Sequence, residues 1–140
     1  MRQIKADGGC RCRAIRYRVE GSVLGAAACH CRDCQYVSGG APAFVLAVPK
    51  KALTLLQGRP ASFASTADSG AARTREFCGT CGTPLFAHDA NYPDVLSVKV
   101  GSLDDPSWFR PEAEFWSSSA PPWHTIDRTL RVFSKGPNGG

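Results

Sequence analysis

The chain has 140 residues, 43% of them hydrophobic and 21% charged, which suits one domain (1–140) with its own core and no dependence on disulfides. No stretch approaches the ~18 apolar residues of a membrane-spanning helix, and the opening residues, Met1 to Asp7, lack the apolar run of a secretory leader, so the expected location is the cytoplasm. The formal charge of +5 counts thiols as neutral; thiolate–metal centres would remove much of it, and Lys50-Lys51 is too short a basic run to predict a nucleic-acid partner.

In chain order, Ile15, Tyr17 and Val19 alternate with Arg16, Arg18 and Glu20, the period of a half-buried strand. A short helix is expected from near Arg32 to the Gly39-Gly40 pair. Residues 43–48 form an apolar run closed by Pro49, and 53–57 follow as another strand. Residues 61–65 and 73–78 pair through a turn at Ala67-Asp68-Ser69-Gly70. Residues 94–100 alternate clearly, and 112–116 and 130–133 are further strands. Gly136 to Gly140 is expected to be a mobile tail beyond a core of about 8–135. The fold class is mainly β, with several small antiparallel sheets and at most one short helix.

Seven cysteines in such a chain point to metal ligation or redox chemistry in a reducing compartment. They fall in three clusters. Cys78 and Cys81 flank Gly79-Thr80 and precede Gly82, a tight knuckle in which glycine supplies positive φ. A knuckle gives two ligands, and structural zinc takes four. Cys10 and Cys12 are the natural second pair, because residues two apart in a strand face the same side. Cys29, Cys31 and Cys34 then remain. Three thiolates hold a zinc with its fourth position open, the catalytic arrangement; the alternative is a closed second site completed by His30 or a distant histidine. A thioredoxin-like role for Cys78 and Cys81 lacks its βαβ context.

The order Gly-Cys-x-Cys (9–12), Cys-His-Cys-x-x-Cys (29–34), Phe-Cys-x-x-Cys-Gly-Thr-x-Leu-Phe (77–86) and Asp-x-Leu-x-Val-x-Val-Gly-x-Leu-Asp-Asp resembles the glutathione-dependent formaldehyde-activating enzymes and the CENP-V-like proteins related to them. The last motif begins near Asp94 and ends at Asp105, and the resemblance runs from about residue 8 to 137. It implies an Mss4-like β-tent stabilised by zinc. It implies two zinc ions per chain: a structural one on Cys10, Cys12, Cys78 and Cys81, and a catalytic one on Cys29, Cys31 and Cys34. Both sets agree with the spacing. One departure is Arg13, where the family often has glycine after the first Cys-x-Cys.

The activity implied is that of a carbon–sulfur lyase or synthase, forming S-(hydroxymethyl)glutathione from glutathione and formaldehyde. Alternatives are another low-molecular-weight thiol, or a zinc-stabilised binding module without catalysis; a homodimer is compatible with either. Arg11, Arg13, Arg32, Arg73 and Arg75 lie near the clusters in sequence, and one or two of them are candidates to pair with glutathione carboxylates. Asp33 is a candidate to orient His30 or a substrate amine. Trp123, His124 and His88 are candidates to line the pocket.

Overall fold

A computed structural model describes residues 2–67 and 70–137. The elements in chain order are β1 (Gln3–Gly9), β2 (Arg16–Ser22), β3 (Gly25–Cys29), α1 (Arg32–Ser38), β4 (Ala43–Pro49) and β5 (Leu53–Gln57). There follow β6 (Ala61–Thr66), β7 (Ala72–Phe77), β8 (Pro84–Asp89), β9 (Val95–Lys99), β10 (Ala113–Phe115) and β11 (Arg131–Val132). The described residues are therefore mainly β with one short α-helix, as the alternation predicts. Asp68 and Ser69 of the expected turn, and 138–140 of the expected tail, lie outside the described residues.

Two compact units are formed, residues 1–24 with 46–108, and residues 25–45 with 109–140. In the first, β1, β2 and β5 make an antiparallel sheet, with β1 and β2 in register from Gln3 opposite Ser22 to Gly9 opposite Arg16. Strands β6 to β9 pair antiparallel with their neighbours. The alternating residues meet the core as their period requires: Ile15, Tyr17 and Val19 are buried. They are joined there by Leu46, Val48, Leu85, Phe86, Leu96 and Val98. Burying these side chains is the main stabilising term, at roughly 1.5–3 kcal/mol each relative to full exposure.

Tyr17 packs edge-on against Phe86, with ring centroids 4.9 Å apart. Its hydroxyl is 2.6 Å from the Ser102 hydroxyl, and burial pushes its pKa up to about 12. Gly8 makes this seat possible, because a Cβ there would lie 2.4 Å from the Tyr17 hydroxyl and 2.5 Å from the Ser102 carbonyl.

In the second unit β10 runs parallel to both β3 and β11, a local difference from the antiparallel expectation. A parallel ladder requires a distant segment rather than a hairpin, and here residue 113 comes beside residue 27. Strands β1, β3 and β8 were not anticipated. The alanines of β3 and the glycines of β1 carry weak strand propensity, and Pro84 and His88 blur the β8 pattern. Helix α1 starts with Cys31 as its N-cap and ends at Gly39, whose φ of 71° closes it in the left-handed region.

Candidate metal centres

The first cluster belongs to the first unit. Cys10 follows β1, and the chain then turns back sharply. Arg13 N–H donates to the Cys10 carbonyl at 3.0 Å, and Cys10 N–H to the Ile15 carbonyl at 3.1 Å. Cys10 and Cys12 thus share a turn, not a strand, and the same-side argument from strand alternation does not describe them. Arg13 takes the cost of that turn with a φ of 68°, the conformation for which glycine is suited. The knuckle is closed by Cys78 N–H to the Thr83 carbonyl (3.0 Å) and Gly82 N–H to the Cys78 carbonyl (2.8 Å). Gly82, with φ 82°, supplies the positive angle; Gly79 does not.

The sulfurs of Cys10, Cys12, Cys78 and Cys81 all lie within 4.8 Å of one another. Cys10 to Cys12 is 3.6 Å and Cys12 to Cys78 is 3.8 Å, and all four thiols are free. Zinc–sulfur bonds of about 2.3 Å at the tetrahedral angle put sulfurs about 3.8 Å apart, so the cluster has the dimensions of a zinc tetrathiolate. Backbone N–H groups aim at the sulfurs: Ile15 at Cys10 (3.2 Å), and Thr80 and Cys81 at Cys78 (both 3.4 Å). Such donors favour the anionic form. The Thr83 side-chain and backbone hydrogen bonds pull Cys81 down to about 5. At Cys12 the Ala14 backbone N–H lowers the pKa, but shared hydrogen bonds with Cys10 and the other thiols, together with burial, outweigh it and push the thiol up to about 11. Four crowded thiols do not all ionise alone; a dication reconciles them.

The second cluster belongs to the second unit. Cys29 ends β3, Cys31 caps α1 and Cys34 lies in its first turn. Their sulfurs also lie within 4.8 Å of one another. Cys31 and Cys34 are buried with Ala43, and Cys29, Val45 and Trp116 pack against them. Cys34 N–H donates to the Cys31 sulfur at 3.4 Å. The Cys29 thiol is held well above its ordinary value by hydrogen bonds shared with Cys31 and Cys34 and by burial, again a set that suits a cation. No further His, Cys, Asp or Glu among the described residues joins the group.

His30 is buried between two of these cysteines in sequence, but its ring turns to Glu114, to which Nε2 is hydrogen-bonded. The other Glu114 oxygen accepts from Asp127 N–H at 3.3 Å. Gln35 donates from Nε2 to the carbonyls of His30 (2.8 Å) and Ser119 (2.9 Å). His30 N–H donates to the Phe115 carbonyl (2.9 Å). The segment carrying all three cysteines is therefore held at His30 and Gln35. Neither Glu114 nor Gln35 was named from the sequence; the one available signal was an acid set between the apolar Ala113 and Phe115 of a short strand. Trp116, with a φ of 56°, was missed too.

The other candidates are dispersed. Arg11 is exposed, and its backbone N–H donates to the Thr83 hydroxyl at 3.0 Å. Arg32 donates to the Gln35 Oε1 and lies over the Tyr36 ring at 4.9 Å. Arg73 pairs with Asp89 at 2.9 Å, while Arg75 is buried. Asp33 is exposed in the first turn of α1. Trp123 is 71% exposed and so is no core residue. The His124 ring sits 5.0 Å from that of His30, and His88 lies 3.4 Å from Glu76.

A mainly β chain carrying a four-thiol and a three-thiol cluster, each of metal-binding dimensions, is a candidate metalloprotein of the thiolate–zinc class. The family model described as "Glutathione-dependent formaldehyde-activating enzyme" matches residues 5–119, and the chain belongs to that family. Among solved structures it is similar to the crystal structure of a Rhodobacter sphaeroides protein, a structural-genomics target. That likeness has a TM-score of 0.57 at 21% identity and covers 70% of this chain and 87% of the other; it bears on the fold alone. No curated protein matches the chain. No helix of the described residues is long and apolar enough to cross a membrane.

Proposed function

We propose that the protein is a zinc-dependent carbon–sulfur lyase or synthase acting on a glutathione adduct, with Cys29, Cys31 and Cys34 as the ligands of its catalytic metal. Cys10, Cys12, Cys78 and Cys81 hold a second, structural zinc. The observation that carries this reading is the three-sulfur group of the second unit, which no further protein donor joins among the described residues. A zinc ion bound there supplies a site that favours the thiolate of an incoming thiol.

The chain's own residues do the rest. Cys31 caps α1 and Cys34 lies in its first turn, within a packed apolar cluster, so the sulfurs keep their spacing. The His30–Glu114 pair and the Gln35 amide fix the backbone between them. In the reaction the glutathione sulfur forms a bond to the formaldehyde carbon as the C=O π bond breaks, and the thiol proton ends on the new hydroxyl oxygen. The reverse is carbon–sulfur lysis. The seven cysteines form no disulfide among the described residues, which suits a reducing compartment, and the cytoplasm is the proposed location.

Exchange NMR of glutathione with formaldehyde tests the activity. The protein is expected to accelerate adduct formation over the spontaneous reaction. Exchange at the uncatalysed rate with zinc-loaded protein would contradict it.

A further inference from the structure

Arg75 is an anomaly inside the first unit. It is 9% exposed, and its Nε is buried with no hydrogen-bond partner. Its Nη1 makes only a long hydrogen bond, to the Ser65 hydroxyl at 3.4 Å. Among the described residues no ion pair includes it. A buried guanidinium normally has a carboxylate across from it, since an uncompensated buried charge costs several kcal/mol.

The surroundings favour an anion. Arg75 stands opposite Phe63 on β6 and Ala87 on β8, and Ala87 stands opposite Ser97 on β9. These residues share one face of the sheet, as the strand period requires. The two neighbours on β8 and β9, Ala87 and Ser97, are small and carry no charge to pair with the guanidinium. Arg73 and Lys99 lie two residues along from Arg75 and Ser97 and face the same way, and Lys99 is itself buried. The one carboxylate of β7 and β8 on this face, Asp89, is held by Arg73 at 2.9 Å. Glu76 alternates to the opposite face, where it meets His88. One fork-shaped donor on this face is therefore left unsatisfied.

We infer that the β7–β9 face around Arg75 is a carboxylate-binding site for a small anionic molecule, with Arg75 as its principal donor. The site lies wholly within the first unit and does not depend on the proposed function. The stored cost of burying the charge is released when a carboxylate accepts from Nε and Nη.

S-methylglutathione separates this site from the thiol chemistry, because it keeps both carboxylates and has no free thiol. Calorimetric titration into the zinc-loaded protein should show binding, with the dimethyl ester of the same compound binding about tenfold or more weakly. Arg75→Met should weaken S-methylglutathione by a similar factor while its melting temperature stays level or rises, because an unpaired buried charge is replaced by an apolar chain of similar length. Arg75→Lys should lose affinity to an intermediate degree, keeping charge without the fork. Equal affinity for acid and ester, unchanged affinity in Arg75→Met, or a marked fall in that variant's melting temperature would each overturn the site. Binding that follows Arg75 while adduct formation is not accelerated would retain the site and reject the lyase reading.

Discussion

Arg13 shows how a single backbone angle registers a departure from a family pattern. Its φ of 68° costs an L-residue roughly 1–2 kcal/mol, and glycine returns part of that through its greater freedom in the unfolded chain. Arg13→Gly is therefore expected to raise stability by about 0.5–1 kcal/mol, read by urea denaturation; a loss of stability would mean that the arginine side chain is needed for the turn. Glu114 poses the opposite case. Removing its carboxylate leaves the buried His30 nitrogen unsatisfied, so Glu114→Ala should cost about 1–3 kcal/mol, and an unchanged midpoint would contradict the pairing. Asp104 carries the acid dependence. Arg16 donates to both of its oxygens, at 2.9 and 2.5 Å, and holds its carboxyl below the ordinary aspartate value. A depressed carboxyl contributes stability that is fully present above that value and is lost as pH falls through the lower, folded one. Asp104→Asn should accordingly flatten the stability curve below about pH 4 and leave its upper shape unchanged; an unaltered acid limb would show that the pair contributes nothing.

At the scale of elements, glycine and cysteine positions govern what the strands can do. Gly8 lets β1 lie against the Tyr17 hydroxyl and the Ser102 carbonyl. Since backbone is one of the obstacles, Gly8→Ala should cost about 3 kcal/mol, and a loss under 1 kcal/mol would show that β1 can shift. Much of this layer was legible beforehand. The alternation of Ile15, Tyr17 and Val19, the apolar run closed by Pro49, and the Gly39-Gly40 stop all became the elements they indicated. The grouping of the thiols was legible because cysteine spacing survives any error in the elements around it. Cys10 and Cys12 join one thiol cluster through a turn, where the expectation rested on strand alternation. Strand β3 was invisible because three alanines carry no alternating signal. Glu114 was invisible as a partner of His30 because 84 residues separate them, a distance that local pattern cannot span.

For the whole molecule, the two thiol clusters fall in different compact units, and their surroundings differ. The four-thiol cluster joins a turn after β1 to the knuckle between β7 and β8, closing a long loop in the first unit. Under the proposed assignment, a zinc there contributes directly to folding, about 10 kcal/mol or more in apparent free energy. The three-thiol cluster is local, spanning six residues around the start of α1, so its metal closes almost no loop. Loss of the two metals should therefore have unequal consequences. Metal analysis of purified protein with single cysteine replacements tests this most directly. The account predicts two zinc ions per chain, one in a still-folded Cys31→Ser, and a badly folded Cys78→Ser. A Cys31→Ser protein that unfolds as severely as Cys78→Ser, or a wild-type chain that binds a single zinc, would contradict it.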